Sequence, residues 1–325
     1  MPHKDIEREI FSIESMEEFQ NAALRIYEFQ YKNCAPYRAY VDLLGVSVKK
    51  FSEIPFLPID FFKSKNIVSR SSQPQLTFES SGTTGSSTSK HLVSSKDVYQ
   101  NSFKNCFEMF YGPAHTYRIL ALLPSYLERE NSSLVYMIDH LIRWSKNPDS
   151  GFYLDNFGKL NEMLEKPSQS KTLLIGVSFG LLDFLDAYKP NLVNTIVMET
   201  GGMKGRRKEM IRRELHEKLK SGFGVSTIHS EYGMTELLSQ AYSKGDGIFN
   251  TPPWMKLFIR EANDPMTEAK NGRTGGINVI DLANIYSCSF IATSDLGRSI
   301  SGKGVEILGR FDYSDIRGCN LMVAD

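Results

Sequence analysis

Cysteine is scarce in this 325-residue chain, with only Cys34, Cys106, Cys288 and Cys319. They are far apart and form no Cys-x-x-Cys pair, which removes the usual signatures of a zinc site or redox dithiol. A cytoplasmic protein with reduced thiols is the expectation. Long apolar runs are also missing: the longest, such as Leu173 to Val177, have strand length, and charged residues stand within the first ten positions. Neither a membrane span nor a signal peptide is therefore expected. There is no excess of one charge, since Lys plus Arg and Asp plus Glu each number 38. No whole-chain field steers the protein to nucleic acid or an anionic membrane, so a polyanionic ligand needs a local site. The strict nucleotide loop Gly-x4-Gly-Lys-Ser/Thr is absent too, which argues against a kinase-type or GTPase-type site.

What is present is enough apolar residue, 41%, for a packed core, and a segment that cannot belong to one. From Phe78 to Lys90 almost every residue is Gly or polar. It follows a short strand at Leu76 and Phe78 and precedes a helical pattern from about Ser95. A strand, a Gly and hydroxyl loop and a helix together make a phosphate-binding arrangement, in which amides converge on an anion and Lys90 adds positive charge. Read alone, the stretch fits a flexible linker equally well.

Helical spacing of Ile6, Ile10, Ile13, Phe19, Ala23 and Ile26 predicts one or two opening helices. Pro36, Pro55 and Pro58 then punctuate a segment whose Phe56, Leu57, Phe61 and Phe62 read as plugs on the main body. Past the loop, predicted helices alternate with apolar strands. A helix from about Lys96 to Tyr111 leads to a strand at 118–124. Ser132 or Ser133 caps a helix to Trp144. A short strand at 151–154, a helix to Glu165, a strand at 172–177, a helix from Phe179 to Tyr188 and a strand at 192–199 follow. Such alternation predicts an α/β fold of mostly parallel strands covered by helices, with ligands at the carboxyl ends of strands and both glycine loops at such ends. The basic stretch 205–219 suggests nucleic acid in isolation. Its apolar stripe of Met210, Ile211, Leu215 and Leu219 instead favours one solvated face of an amphipathic helix. Beyond Ile248, strands at 255–260, 276–280, 289–293 and 305–308 predict a smaller antiparallel sheet.

Four separated stretches then fall in a meaningful order: Ser80-Ser81-Gly82-Thr83-Thr84-Gly85, Glu199-Thr200-Gly201-Gly202, Glu231-Tyr232-Gly233-Met234-Thr235-Glu236, and Thr293-Ser294-Asp295 with Gly309-Arg310-Phe311-Asp312. Together they resemble the adenylate-forming superfamily of acyl-CoA synthetases, firefly luciferase and nonribosomal peptide adenylation domains, over roughly residues 76 to 319. The resemblance implies ATP and Mg²⁺ as cofactors, a carboxylic acid as substrate and CoA as one candidate acceptor. It implies that Thr83 and Thr84, with the amides of Gly82 and Gly85 and with Ser81 and Lys90 nearby, cradle the β- and γ-phosphates. Gly201, Gly202, Tyr232 and Gly233 would frame the adenine, Thr235 would contact the α-phosphate and Glu236 would bind Mg²⁺. Asp295 would take the ribose hydroxyls, with Arg310 on ribose or phosphate. Singly, Glu236 reads as a helix-start carboxylate, Asp295 as a turn former and Arg310 as an ion-pair partner.

Two departures from the family pattern stand out. Gly85 is followed by Ser86-Ser87-Thr88-Ser89 before Lys90, where the family has Gly-x-Pro-Lys, and Ser294 replaces a Gly. The expected organisation is an N-terminal-type domain over 1–308, with its antiparallel part at about 248–308, then a hinge remnant and tail over 309–325 without the mobile C-terminal domain. This short form, with Gly318-Cys319-Asn320-Leu321-Met322-Val323, resembles the acyl-protein synthetase of the bacterial luminescence fatty-acid reductase system. That resemblance implies a fatty acid, Cys319 as acyl acceptor and a reductase as partner. Read as a residue, Cys319 is equally a buried small hydrophobe.

Overall fold

The computed structural model describes residues 3–70, 73–80, 88–123, 131–154, 156–202, 207–208 and 210–311. Its helices are α1 (His3–Ile10), α2 (Met16–Asn33), α3 (Ala35–Leu44), α4 (Phe61–Ser64), α5 (Lys96–Tyr111), α6 (Ser133–Ser145), α7 (Phe157–Glu165), α8 (Ser178–Ala187) and α9 (Arg212–Phe223). Its strands are β1 (Leu57–Pro58), β2 (Leu76–Glu79), β3 (Lys90–Val93), β4 (Tyr117–Leu122), β5 (Gly151–Phe152), β6 (Lys171–Val177) and β7 (Thr195–Thr200). They continue with β8 (His229–Tyr232), β9 (Ala241–Ser243), β10 (Ile248–Phe249), β11 (Met255–Arg260), β12 (Thr274–Asp281), β13 (Phe290–Ile300) and β14 (Gly304–Arg310).

Strands β4 and β6 are apolar along almost their whole length, and every residue but Lys171 is buried. Such strands must be covered on both faces, and they form the middle of a sheet ordered β5-β4-β6-β7-β8-β9. The first five strands run parallel and β9 returns antiparallel. Helix α5 has the predicted limits and α6 nearly so, each begun by a serine whose hydroxyl accepts a backbone N–H: Ser95 from Val98 at 3.3 Å and Ser132 from Val135 at 3.4 Å. At the amino end, Ser15 and Glu18 make a reciprocal capping box at the start of α2. Pro36 does not interrupt the chain as expected but lies in the first turn of α3, where its missing N–H costs nothing.

The strands beyond 248 form an antiparallel sheet ordered β10-β14-β13-β12-β11, as the sequence predicts. A sixth strand comes from the N-terminal segment: β1 pairs parallel with β13, Leu57 opposite Ile291. Leu57 and Phe62 are fully buried there.

Other expectations change. The glycine and hydroxyl run does not join a strand to a helix. Strands β2 and β3 pair antiparallel from Leu76↔Val93 to Glu79↔Lys90, so residues 80–89 connect the two strands of a hairpin outside the parallel sheet. Strand β3 has only four residues, too few for its alternation to register beside the helical signal that starts at Ser95. Of the two glycine loops, only the one after β7 stands at the end of a parallel strand. The basic helix starts at Arg212, not 205; Leu215 and Leu219 are buried as predicted, but Ile211 precedes the helix in an extended conformation and is 68% exposed. Strand β7 begins at Thr195 rather than Leu192, because Asn194 takes a left-handed conformation (φ 48°) and Val193 points to solvent.

Candidate functional site

Strands β7 and β8 lie side by side with Glu199 opposite Ser230 and Thr200 opposite Glu231. Alternation puts Glu199 and Ser230 on one face of the sheet and Thr200 and Glu231 on the other. On the first face the Glu199 carboxylate accepts from Ser178 Oγ at 3.1 Å and meets Arg212 Nε at 3.3 Å and His216 Nε2 at 3.4 Å. Burial pushes this carboxyl up, but the Arg212 charge and hydrogen bonds from His216 and Ser230 outweigh it, and the net shift is downward. On the second face the Thr200 hydroxyl donates to Glu231, whose carboxyl is raised to about 7 by burial, with the nearby Glu199 charge adding to the shift and Thr200 opposing it. One carboxylate is thus held ionised while its neighbour keeps a proton near neutrality. Beyond β7 the chain turns at Gly201, whose φ of 69° suits glycine.

Strand β8 delivers Tyr232 and then the turn Gly233 to Glu236. A side chain at Gly233 would begin 2.5 Å from Glu231 Oε1, so a larger residue there would displace the Glu231 carboxyl. The Tyr232 hydroxyl donates to Asp295 Oδ2 at 2.7 Å, crossing from the parallel sheet to β13. Opposite Asp295 on β14 stands Arg310, whose Nε is 3.5 Å from Oδ1. The guanidinium is largely exposed, so the pair adds little stability and leaves Arg310 accessible. Burial raises the Asp295 carboxyl despite Tyr232 and Arg310, which pull the other way.

Glu236 is buried, and its carboxyl is raised by burial, partly offset by a hydrogen bond with the Ser89 side chain and by the Arg310 charge. Its backbone is held from below: Asn284 Nδ2 donates to Glu236 O at 2.7 Å, and Leu238 N donates to Asn284 Oδ1 at 3.0 Å. Asp281 accepts from the amides of Leu238 and Ser239 at 2.9 and 2.8 Å and from Ser239 Oγ at 2.6 Å. Burial brings the Asp281 carboxyl up to about 6 against these donors.

The fold therefore brings Tyr232, Gly233, Thr235, Glu236, Asp295 and Arg310 to one place, with Gly201 and Gly202 at the end of the adjacent strand. Lys90 Nζ lies 3.2 Å from Glu79 Oε1 across the hairpin, so its charge is shared. Ser81, Gly82, Thr83, Thr84, Gly85 and Cys319 lie outside the described residues. The hairpin neck is described: Ser80 N donates to Ser89 O at 3.0 Å and Ser89 N to Ser80 Oγ at 2.8 Å. Sequence reasoning gave no role to Glu231, which it quoted only within a motif, and missed Asp281, Asn284 and His91. Only Glu231 carried a signal, its adjacency to Tyr232; the others work through partners more than forty positions away.

Among the described residues no cluster of three or more His, Cys, Asp or Glu is set to hold a metal. A cavity of about 10 Å³, lined by His91, Ser94, Val98, Leu238, Tyr286 and Ser287, has room for about one water. No described helix is long and apolar enough to cross a membrane.

No family model and no curated protein matches the sequence. Solved structures do. ATP-bound MatB from Rhodopseudomonas palustris superposes with a TM-score of 0.56 at 15% identity, over 75% of this chain and 49% of that one. An open conformation of 2-hydroxyisobutyryl-CoA ligase, in complex with 2-HIB-AMP and CoA, gives 0.69 at 11% identity over 93% and 72%. The luciferase-like enzyme of the nonluminescent mealworm Zophobas morio gives 0.52 at 13% identity over 84% and 63%. This chain spans about half the length of the MatB structures it matches. The arrangement of sheets and helices is the α/β fold that these structures share.

Proposed function

We propose that the protein activates a carboxylic acid with ATP, forming an acyl-adenylate and pyrophosphate, and then passes the acyl group to a thiol. The observation that carries this reading is the convergence of Tyr232, Glu236, Asp295 and Arg310, contributed by three separated stretches, on one end of a sheet. Gly201, Gly202 and Tyr232 would frame the adenine. Asp295 keeps free acceptor positions besides the one Tyr232 occupies, enough for ribose hydroxyls, and Arg310 is exposed beside it. Thr83, Thr84 and the amides of Gly82 and Gly85 would hold the β- and γ-phosphates, with Thr235 on the α-phosphate.

In this reaction the substrate carboxylate attacks the α-phosphorus and the bond to the bridging oxygen of pyrophosphate breaks. The protein's work is to align these atoms and to place donors where charge gathers. Glu236 fits Mg²⁺ held jointly with ATP: it is a buried carboxylate whose ionised form burial disfavours and a cation would restore. A bound Mg²⁺ would neutralise charge on the phosphate oxygens.

The finer reading, resting on the Gly318-Cys319 resemblance, is a cytoplasmic acyl-protein synthetase that uses a fatty acid, takes the acyl group on Cys319 and hands it to a reductase subunit. Cys34, Cys106 and Cys288 are buried, and burial raises each thiol, which suits none of them to attack. The second reading, delivery to CoA or an acyl-carrier protein, is favoured by the CoA bound to the matching 2-hydroxyisobutyryl-CoA ligase. Acid-dependent exchange of labelled pyrophosphate into ATP, screened over aliphatic and aryl acids, tests the reaction. Exchange with at least one acid is expected. ATP binding without exchange across the panel, with candidate partner proteins added, would instead mark a nucleotide-binding, non-catalytic subunit.

A further inference from the structure

Strand β3 leaves the glycine run with Ser89 and His91 buried and Lys90 exposed between them. Residues two apart on a strand share a face, and here that face meets the turn after β8. The Ser89 side chain hydrogen-bonds the Glu236 carboxyl, and His91 Nδ1 lies 2.9 Å from Thr235 O. A carbonyl can only accept, so Nδ1 carries the proton, and Nε2 accepts from Ser287 Oγ at 2.9 Å. The ring is further fixed by the edge-to-face contact of Phe62, centroids 5.6 Å apart. Burial lowers the His91 imidazole to about 4, so it stays neutral and keeps this tautomer through the physiological range.

Resting on the functional reading above, we infer that His91 is a positioning residue: with Ser89 it clamps strand β3 to Thr235 and Glu236, and so fixes the turn that presents the magnesium carboxylate. Consecutive residues of the turn are gripped by alternate residues of the strand, so the hairpin cannot slide past the turn without breaking both bonds. Asn284 also holds Glu236 O, and Asn284 O accepts from Ser287 N at 2.9 Å, which seats the hydroxyl that His91 uses.

The test uses the full chain and two readouts: hydrogen exchange of the peptide 231–240 without nucleotide, and calorimetric binding of Mg-ATP. His91→Leu removes the donor, while His91→Asn keeps an N–H near the Nδ1 position. Expected for His91→Leu are faster exchange confined to 234–240, unchanged protection in β4 and β6, and Mg-ATP affinity reduced about tenfold or more. His91→Asn should recover most of both. A folded His91→Leu protein with wild-type exchange and wild-type affinity overturns the inference, as does failure of His91→Asn to restore either. Should His91→Leu not fold, Ser287→Ala and His91→Asn decide on the same readouts, Ser287→Ala being expected to loosen 234–240. If wild-type protein binds no Mg-ATP, the functional reading falls, and the exchange arm alone decides whether the clamp exists.

Discussion

The Tyr232 hydroxyl donates its proton to Asp295 Oδ2 across 2.7 Å, tying the last residue of a parallel strand to the middle of an antiparallel one. Two stretches sixty-three positions apart thereby share one proton bridge, and Asp295 keeps its remaining acceptors beside the exposed Arg310.

Tyr232→Phe strips that donor from a buried carboxylate. A loss of about 1 to 3 kcal/mol is expected from urea unfolding, because the group left behind stays desolvated. Asp295→Asn should then cost less in the Tyr232→Phe background than in wild type, and the double-mutant cycle measures the difference. Additive effects would mean that the two groups do not interact in solution.

Glu231 predicts a pH dependence with a definite sign. Its folded carboxyl titrates at about 7 against an ordinary 4.5, so between these values the folded state holds a proton that the unfolded chain has released. The stabilisation is complete below pH 4.5 and is lost as pH rises through about 7. The change amounts to roughly 3 kcal/mol. Glu231→Gln removes it, so the variant should gain stability relative to wild type as pH rises through this window, in denaturant titrations every half unit from pH 4.5 to 8. Parallel curves for the two proteins would contradict the assignment. Asp281 contributes in the same direction but is common to both proteins.

Glu236→Gln and Thr84→Val should each lower pyrophosphate exchange by about 10² to 10³, the typical loss for one preorganised group acting on developing charge. Circular dichroism and melting curves should stay close to wild type. Wild-type exchange in either variant would take that residue out of the nucleotide site.

Cys319→Ser separates the two acceptors. With Mg-ATP and a labelled acid that supports exchange, wild-type protein should acquire label released by hydroxylamine, and Cys319→Ser should acquire none while exchange persists. Label that survives the substitution, or never appears, moves the acceptor to CoA or a carrier protein. Cys34, Cys106 and Cys288 serve as controls because each is buried.

The sequence by itself determined what depends on neighbours along the chain. The helix from Lys96 to Tyr111 was legible because burial recurs at helical spacing, the strands β4 and β6 because they are continuous apolar runs, and Ser95 and Ser132 mark helix starts by a hydrogen bond three residues long. The order of the motifs was legible too, being a property of the chain rather than of space. Tertiary structure alone decided which segments meet: that Leu57 pairs with Ile291, that the chain after the glycine run first pairs back on β2 as β3 before α5 begins, and that His91 reaches Thr235 over 144 positions. It also decided that Glu231 keeps its proton near neutrality while Glu199, one strand away, is ionised, since only the three-dimensional arrangement puts Arg212 against Glu199 and buries Glu231 beside that charge. Periodicity records which side of a segment is buried; the partner it is buried against is chosen by packing and hydrogen bonding between distant segments, which leave no local pattern.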